Sequence, residues 1–316
     1  MDRTVLVTDH VFGDLEAERA ALAAIGCRLE QAPAPDSETL AAHAAGAAGM
    51  LVCFADVGED VVDAAARGGC RIIARYGIGV DNVAVDAATR AGIQVTNVPD
   101  YCLDEVADHA MAMLLAGARR VVSASRDVAE GGWTPTHGQV HRLAGRRLAL
   151  LGVGQIGSRV LTRARAFGLE VVGYDPFLAD PPEGLTMART PEEAVAEADY
   201  VSLHAPLNDA THHLVGEELI GAMRRAPMVI NTSRGGLVDL DAAVAALDAG
   251  QVSILALDVT EVEPLPAGHP LRTHPRAIVT PHMAFYSIES TRELQQRVAD
   301  EVVAALRGEP ARSPVA

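Results

Sequence analysis

Three short apolar runs in the second half of the chain each end on an ionisable residue. PMVINTSRGG delivers Arg234 after Met228–Asn231, SILALDVTEVEPLP delivers Glu261 and Glu263 around Asp258, and AIVTPH delivers His282. An arginine straight after a buried strand is costly unless something anionic meets it. Arginine, carboxylate and imidazole at successive strand ends suit one kind of chemistry. Hydride attack on a carbonyl carbon leaves an alkoxide, which needs a cation beside it and a proton donor. Thr232 and Ser233 precede the arginine. A nucleophilic serine needs a base within hydrogen-bond reach and hydride chemistry needs none, so both are expected to line a cofactor.

A site for a hydride donor is written upstream. Leu148–Ser158 reads LALLGVGQIGS, placing Gly152, Gly154 and Gly157 as G-x-G-x-x-G between an apolar strand and an amphipathic helix. In that setting the first glycine permits a tight turn, the second lets a pyrophosphate approach the backbone, and the third lets helix and strand pack closely. The opening of the helix, at Gln155 and Ile156, then offers free N–H groups to the phosphates. The next strand, EVVGYD, ends in Asp175, at the distance where a carboxylate meets the adenosine ribose. Pro176, Phe177 and Leu178 follow it, with no arginine to neutralise a 2′-phosphate. The expected cofactor is NAD rather than NADP.

These groups need elements to hold them. Strand-like runs at Thr4–Thr8, Gly49–Phe54, Ile72–Arg75, Arg147–Leu151, Glu170–Tyr174 and Tyr200–Leu203 alternate with helical patterns such as Asp14–Ala24, Glu59–Ala66 and Ile156–Phe167. Such alternation predicts parallel strands with helical crossovers, hence an α/β fold. At 316 residues the chain exceeds what one core usually supports. Two Rossmann-like domains are expected: a flavodoxin-like substrate-binding domain over 1–98 plus 286–316, and a doubly wound NAD-binding domain inserted over 99–285. Asp104–Arg120 reads as one long helix, acids first and arginines last.

Composition narrows the function classes. The net charge of −16 argues against nucleic acid and anionic membranes as partners. All 26 basic residues are arginine, which removes Schiff-base and lysine-base chemistry. Cys27, Cys53, Cys70 and Cys102 form no metal-ligand spacing, so reduced thiols, a cytoplasmic location and no metal are expected. No apolar run reaches the ~18 residues that a membrane span needs.

Taken together, GVGQIG with Asp175, LHAPLNDATHHLV, INTSRGGLVD, LDVTEVEPLP, VTPHMAFYS and, upstream, RYGIGVDNVAVDAATRAGIQVTNVPDYCLDEVADHA resemble the D-isomer-specific 2-hydroxyacid dehydrogenase family. The likeness covers nearly the whole chain. It is strongest to the branch of the C-terminal binding proteins and phosphoglycerate-dehydrogenase-like enzymes. The resemblance implies that Arg234 clamps the carboxylate and carbonyl oxygen of a 2-oxo acid, and that His282 is the general acid. Glu263, matched by its spacing from Asp258, would hydrogen-bond the imidazole. It also implies cofactor contacts at His204, Ala205, Pro206, Thr211 and, for the nicotinamide carboxamide, Asp258. In the outer domain RYGIGVD would seat a substrate carboxylate on the N–H groups of Ile78 and Gly79.

Departures from the family pattern bear on substrate. Where many relatives carry an arginine, this chain reads VCFADVG, which weakens the case for a phosphorylated substrate. Phe54, Tyr76, Tyr101 and Phe285 are expected to form an apolar wall. Phe285 stands where the corepressor branch usually has tryptophan. Two other readings compete with an NAD-dependent dehydrogenase: an NAD(H)-sensing interaction protein, and oxidation of a non-carbon substrate such as phosphite. A homodimer is expected, with Val121–Thr136 and its Trp133 as an exchanged arm or a local lid.

Overall fold

The computed structural model describes residues 3–136 and 138–315. The chain divides into two compact units, one running up to Tyr101 and resuming at Ser287, the other spanning Cys102–Tyr286.

The first unit holds strands β1 (Arg3–Val7), β2 (Cys27–Gln31), β3 (Ala47–Val52), β4 (Ile72–Arg75) and β5 (Gln94–Thr96). Its helices are α1 (Glu16–Ala23), α2 (Ser37–Ala44), α3 (Glu59–Gly68), α4 (Val85–Arg90) and, from the C-terminal segment, α11 (Ile288–Arg307). All strands are parallel in the order β2-β1-β3-β4-β5. The order reverses between β1 and β3, and there Asp9 caps the end of the sheet. Its carboxylate accepts the backbone N–H groups of Cys53, Phe54 and Ala55 at 3.2, 2.8 and 3.1 Å. Those N–H groups are no longer free for a ladder, so β3 ends at Val52 rather than running to Phe54.

The second unit holds α5 (Leu103–Ala118), α6 (Val121–Ala129), β6 (Arg147–Leu151), α7 (Gln155–Ala166), β7 (Glu170–Tyr174), β8 (Thr186–Met187), α8 (Pro191–Val195), β9 (Tyr200–Leu203), α9 (Glu217–Ala222), β10 (Met228–Asn231), α10 (Leu240–Ala249), β11 (Ile254–Leu257) and β12 (Ala277–Val279). Its seven parallel strands run β12-β11-β10-β9-β6-β7-β8. The apolar strand runs are continuous because helices cover both faces, and the period of two sorts them. Ala149, Leu151, Val229, Leu255 and Leu257 pack on one face with residues of α8, α9 and α10. Leu148, Leu150, Ile230, Ile254 and Ala256 pack on the other with residues of α5 and α7. The order reverses between β6 and β9, the place where open parallel sheets bind ligands at their carboxyl ends.

The helix expected over 104–120 is α5, Leu103–Ala118, and α6 follows it after a turn in which Arg120 takes a left-handed conformation at φ 57°. One strand goes beyond the sequence reading and one expectation is corrected. The polar sequence CRLEQ forms a strand, β2, because it is a sheet edge with mostly exposed side chains. Tyr76, expected on a substrate wall, is a core residue of its own unit. It is 2% exposed, its hydroxyl donates to the buried Glu18 at 2.9 Å, and its ring meets Phe12 edge-on. Burial raises the Glu18 carboxyl above its ordinary range, opposed by the hydrogen bonds from Tyr76 and from Gln295. Tyr76→Phe should therefore lower the stability of this unit by about 1–3 kcal/mol, the cost of losing one donor to a buried acceptor. Urea denaturation checks it; no change would return Tyr76 to the surface.

Candidate active site

The carboxyl ends of β6, β9, β10, β11 and β12 carry every sequence-selected group of the second unit except Asp175 and Phe285. Gly152 follows β6 at φ 95°, and a Cβ there would lie 2.6 Å from the carbonyl carbon of His204. A Cβ on Gly157 would lie 2.4 Å from the Gly152 carbonyl oxygen, so both glycines are fixed by close backbone approach. A Cβ on Gly154, by contrast, would meet nothing within 4 Å. Open space above Gly154 and the first turn of α7, which opens with exposed Gln155 and half-buried Ile156, fit a pyrophosphate. Asp175, at the end of β7, accepts the N–H of Val153 at 2.9 Å and of Phe177 at 3.0 Å. Its carboxylate is thereby locked beside the glycine loop.

The segment after β9 closes the other side of the crevice. Ala205 joins His204 against Gly152. Pro206 accepts the Thr211 hydroxyl at 2.6 Å, and Thr211 Oγ1 in turn accepts the Asn208 N–H, so Thr211 holds its own loop together. After β10, Asn231 is fully buried and brackets the turn: its amide donates to the Arg234 carbonyl at 2.7 Å and accepts the Ser233 N–H at 3.0 Å. The Ser233 hydroxyl donates to Leu203 O, whereas Thr232 Oγ1 is buried with no partner among the described residues. The orphaned hydroxyl and the open space at Gly154 both fit a bound dinucleotide.

Arg234 half-emerges from this turn, with its guanidinium donating to Ser233 O at 2.8 Å. The glycine that follows explains the Arg-Gly-Gly pattern. A Cβ on Gly235 would lie 2.0 Å from the carbonyl carbon of Thr260, so the arginine turn rests directly on the turn after β11. Within that second turn Glu263 accepts the Thr260 N–H on Oε1 at 3.0 Å and pairs through Oε2 with His282 Nδ1 at 2.6 Å. This pair fixes the ring through Nδ1. The Phe285 ring stands edge-on to His282 at 6.4 Å.

His282 itself is left-handed, at φ 52°, a conformation that costs a non-glycine residue about 1 kcal/mol or more. Asp258 holds it there. The backbone carbonyl of Asp258 accepts the His282 N–H at 2.8 Å. Its side-chain oxygens accept the Thr280 hydroxyl at 2.5 Å and the N–H groups of Met283 and Ala284 at 3.0 and 2.8 Å. His109 of α5 meets the Thr280 hydroxyl at 3.0 Å. Asp258, expected to meet a nicotinamide carboxamide, is 2% exposed and holds three side-chain hydrogen bonds that clasp the 280–284 turn. Sequence reasoning passed over His109, Asn231 and Thr280, although a histidine on a largely apolar helix and an asparagine closing a buried strand were both visible signals.

The His204 ring bonds Ser202 at 2.9 Å through Nε2, and its Nδ1 is buried without a partner among the described residues. Burial pushes the imidazole down to about 4 from an ordinary value of 6.5. The folded chain therefore resists a proton that the unfolded chain accepts, and stability falls as pH drops from about 6.5 towards 4. At pH 5 the linked loss is about 2 kcal/mol relative to pH 7. In urea denaturation at the two pH values, His204→Gln should lose less stability on acidification than the parent; an equal loss would remove His204 from the effect.

Comparison with known proteins meets this geometry. Residues 111–284 match the model of the D-isomer specific 2-hydroxyacid dehydrogenase, NAD binding domain. A glyoxylate reductase of Korarchaeum cryptofilum is 39% identical over 259 residues, covering 80% of this chain and 77% of that protein. A D-3-phosphoglycerate dehydrogenase of Methanocaldococcus jannaschii is 37% identical over 82% of this chain, which spans only 49% of that longer protein. The crystal structure of a D-lactate dehydrogenase from Aquifex aeolicus, complexed with NAD and lactic acid, superposes with a TM-score of 0.87 at 26% identity, covering 97% of this chain and 96% of that one. By these matches the chain belongs to the D-isomer-specific 2-hydroxyacid dehydrogenase family, as an oxidoreductase that uses NAD.

Proposed function

We propose that the chain interconverts a small, unphosphorylated 2-oxo acid and its D-2-hydroxy acid, with Arg234, Glu263 and His282 as the acting side chains. The observation that carries this reading is the 2.6 Å pair between His282 Nδ1 and Glu263, which fixes the orientation of the imidazole. Bound NADH supplies the hydride that adds to C2. Arg234 holds the carboxylate and the carbonyl oxygen and offsets the charge that grows there. As the carbonyl π electrons move onto oxygen, His282 Nε2 gives up its proton to it, and Glu263 keeps the ring oriented. Oxidation runs the same steps backwards, with neutral His282 as base.

The preference for an unphosphorylated acid rests on the first unit. Where its strand order reverses, the N–H groups of Cys53, Phe54 and Ala55 are occupied by the Asp9 carboxylate and so are not offered to a phosphate. Arg75, at the end of the neighbouring strand, is buried with its guanidinium donating to the Tyr76 carbonyl at 2.7 Å. Burial raises the Cys53 thiol to about 12, so it stays protonated and inert, in keeping with a cytoplasmic enzyme. A homodimer is supported by α6, whose Val121 and Val128 are exposed together with Trp133 just beyond it.

The test is NADH oxidation against glyoxylate, pyruvate, hydroxypyruvate, phenylpyruvate and phosphonopyruvate. Turnover is expected on at least one unphosphorylated acid, and His282→Gln should lower kcat about 10²–10⁴-fold while NADH still binds. An unimpaired variant would overturn the proton-donor role. Gly235→Ala should push the arginine turn off Thr260 and cut kcat/KM by about a hundredfold, the usual cost of an ångström of misplacement. Unaltered steady-state kinetics would mean that this contact does not set the position of Arg234.

A further inference from the structure

Beside the catalytic turns lies a second cluster that the reaction above does not use. His212 and His213, in the segment after β9, stack their rings with centroids 3.9 Å apart. Both direct Nε2 at one oxygen of Glu261: His213 at 2.5 Å and His212 at 4.0 Å. The three donor atoms all lie within 4.8 Å of one another. Behind them, Asp239 Oδ2 faces His213 Nδ1 at 3.8 Å.

The cluster is built, not incidental to flexible side chains. His213 adopts the left-handed conformation at φ 53°, and its N–H donates to Gly236 O at 2.7 Å. Two residues on, Val215 pairs with Val238 as a parallel bridge, which joins this segment to the start of α10. Asp239 is fixed as the N-cap of α10, its other oxygen accepting the Ala242 N–H at 3.0 Å. Glu261 follows Thr260, whose backbone is packed against Gly235. A strained backbone at His213 that aims its imidazole, beside that of His212, at one carboxylate fits a ligand better than a lone surface ion pair.

From this geometry we propose that His212, His213 and Glu261 bind one divalent transition-metal ion of the zinc, cobalt or nickel type. Two imidazoles and one carboxylate are borderline ligands that suit such ions and not magnesium or calcium, which take oxygen. Around a tetrahedral ion with bonds of ~2.0–2.2 Å, donor atoms sit about 3.3–3.6 Å apart. The His–Glu separations of 2.5 and 4.0 Å bracket that figure. Because the stacked rings point their nitrogen lone pairs nearly parallel, closing the site takes a rotation of the exposed His212 ring together with a shift of about 1 Å in the Glu261 carboxylate. The ion takes the place of the hydrogen bond between His213 and Glu261, any proton released going to solvent, and solvent supplies the remaining ligands. Asp239 takes the orienting place that carboxylates commonly hold behind a metal-bound histidine. The bound ion ties the 211–215 segment to the 260–263 turn.

The test uses full-length, tag-free protein stripped with a chelator, then titrated with Co²⁺ by visible absorption and with Zn²⁺ by calorimetry. One saturable equivalent per chain and a rise in Tm with Zn²⁺ are expected. His212→Ala and Glu261→Gln should each weaken binding at least about tenfold and abolish the Tm rise. His43→Ala, far along the chain in the first unit, should change neither. Absence of a saturable equivalent, binding unaltered in both site variants, or loss of binding in His43→Ala would each overturn the proposal. None of these readouts depends on turnover, so the proposed reaction can fail without the metal site failing.

Discussion

The carboxylate of Asp258 sets the conditions for everything else at the strand ends. A catalytic imidazole on a loop is useful only if its backbone cannot wander, and His282 sits in a backbone region that non-glycine residues avoid. Asp258 offsets that cost with its own carbonyl and three side-chain hydrogen bonds across the 280–284 turn. Being buried, those bonds are not exchanged for water, and they hold the turn against relaxation. Glu263, five residues on, then has to fix only the ring. Two carboxylates of one segment thus divide the labour, one clasping backbone and the other orienting the imidazole.

The arginine turn is held by a different device, contact rather than charge. Gly235 lets the backbone of one turn lie against the backbone of the next, and Asn231 closes its own turn from beneath. The result is that the three ionisable groups are referenced to adjacent parallel strands, β10, β11 and β12, and so to a rigid frame. An acidic surface repels anions at long range, so such a local, fixed cation is what an anionic substrate requires.

Much of this was legible in the sequence, for physical reasons. Continuous apolar runs such as LALL and MVIN mark strands covered on both faces, and ionisable residues at their ends mark the edge where ligands bind. G-x-G-x-x-G was legible because each glycine answers a spatial demand. What escaped depended on partners distant in sequence. The work of Asp258 is defined by residues 22 to 26 positions later, and Tyr76 is defined by Glu18, 58 positions earlier. The edge strand β2 is polar because only part of it is covered, and an alternation rule for buried strands passes over it. His212 and His213 carried no ligand spacing because Glu261 lies 48 residues beyond His213.

The most direct measurement of the central claim is the fate of a labelled hydride. NADH carrying deuterium at its transferable C4 position would be turned over with the best 2-oxo acid, and the product resolved by chiral chromatography and read by NMR. The account predicts deuterium on C2 of the D-2-hydroxy acid and nowhere else. Product without label at C2, or label in the L enantiomer, would contradict it.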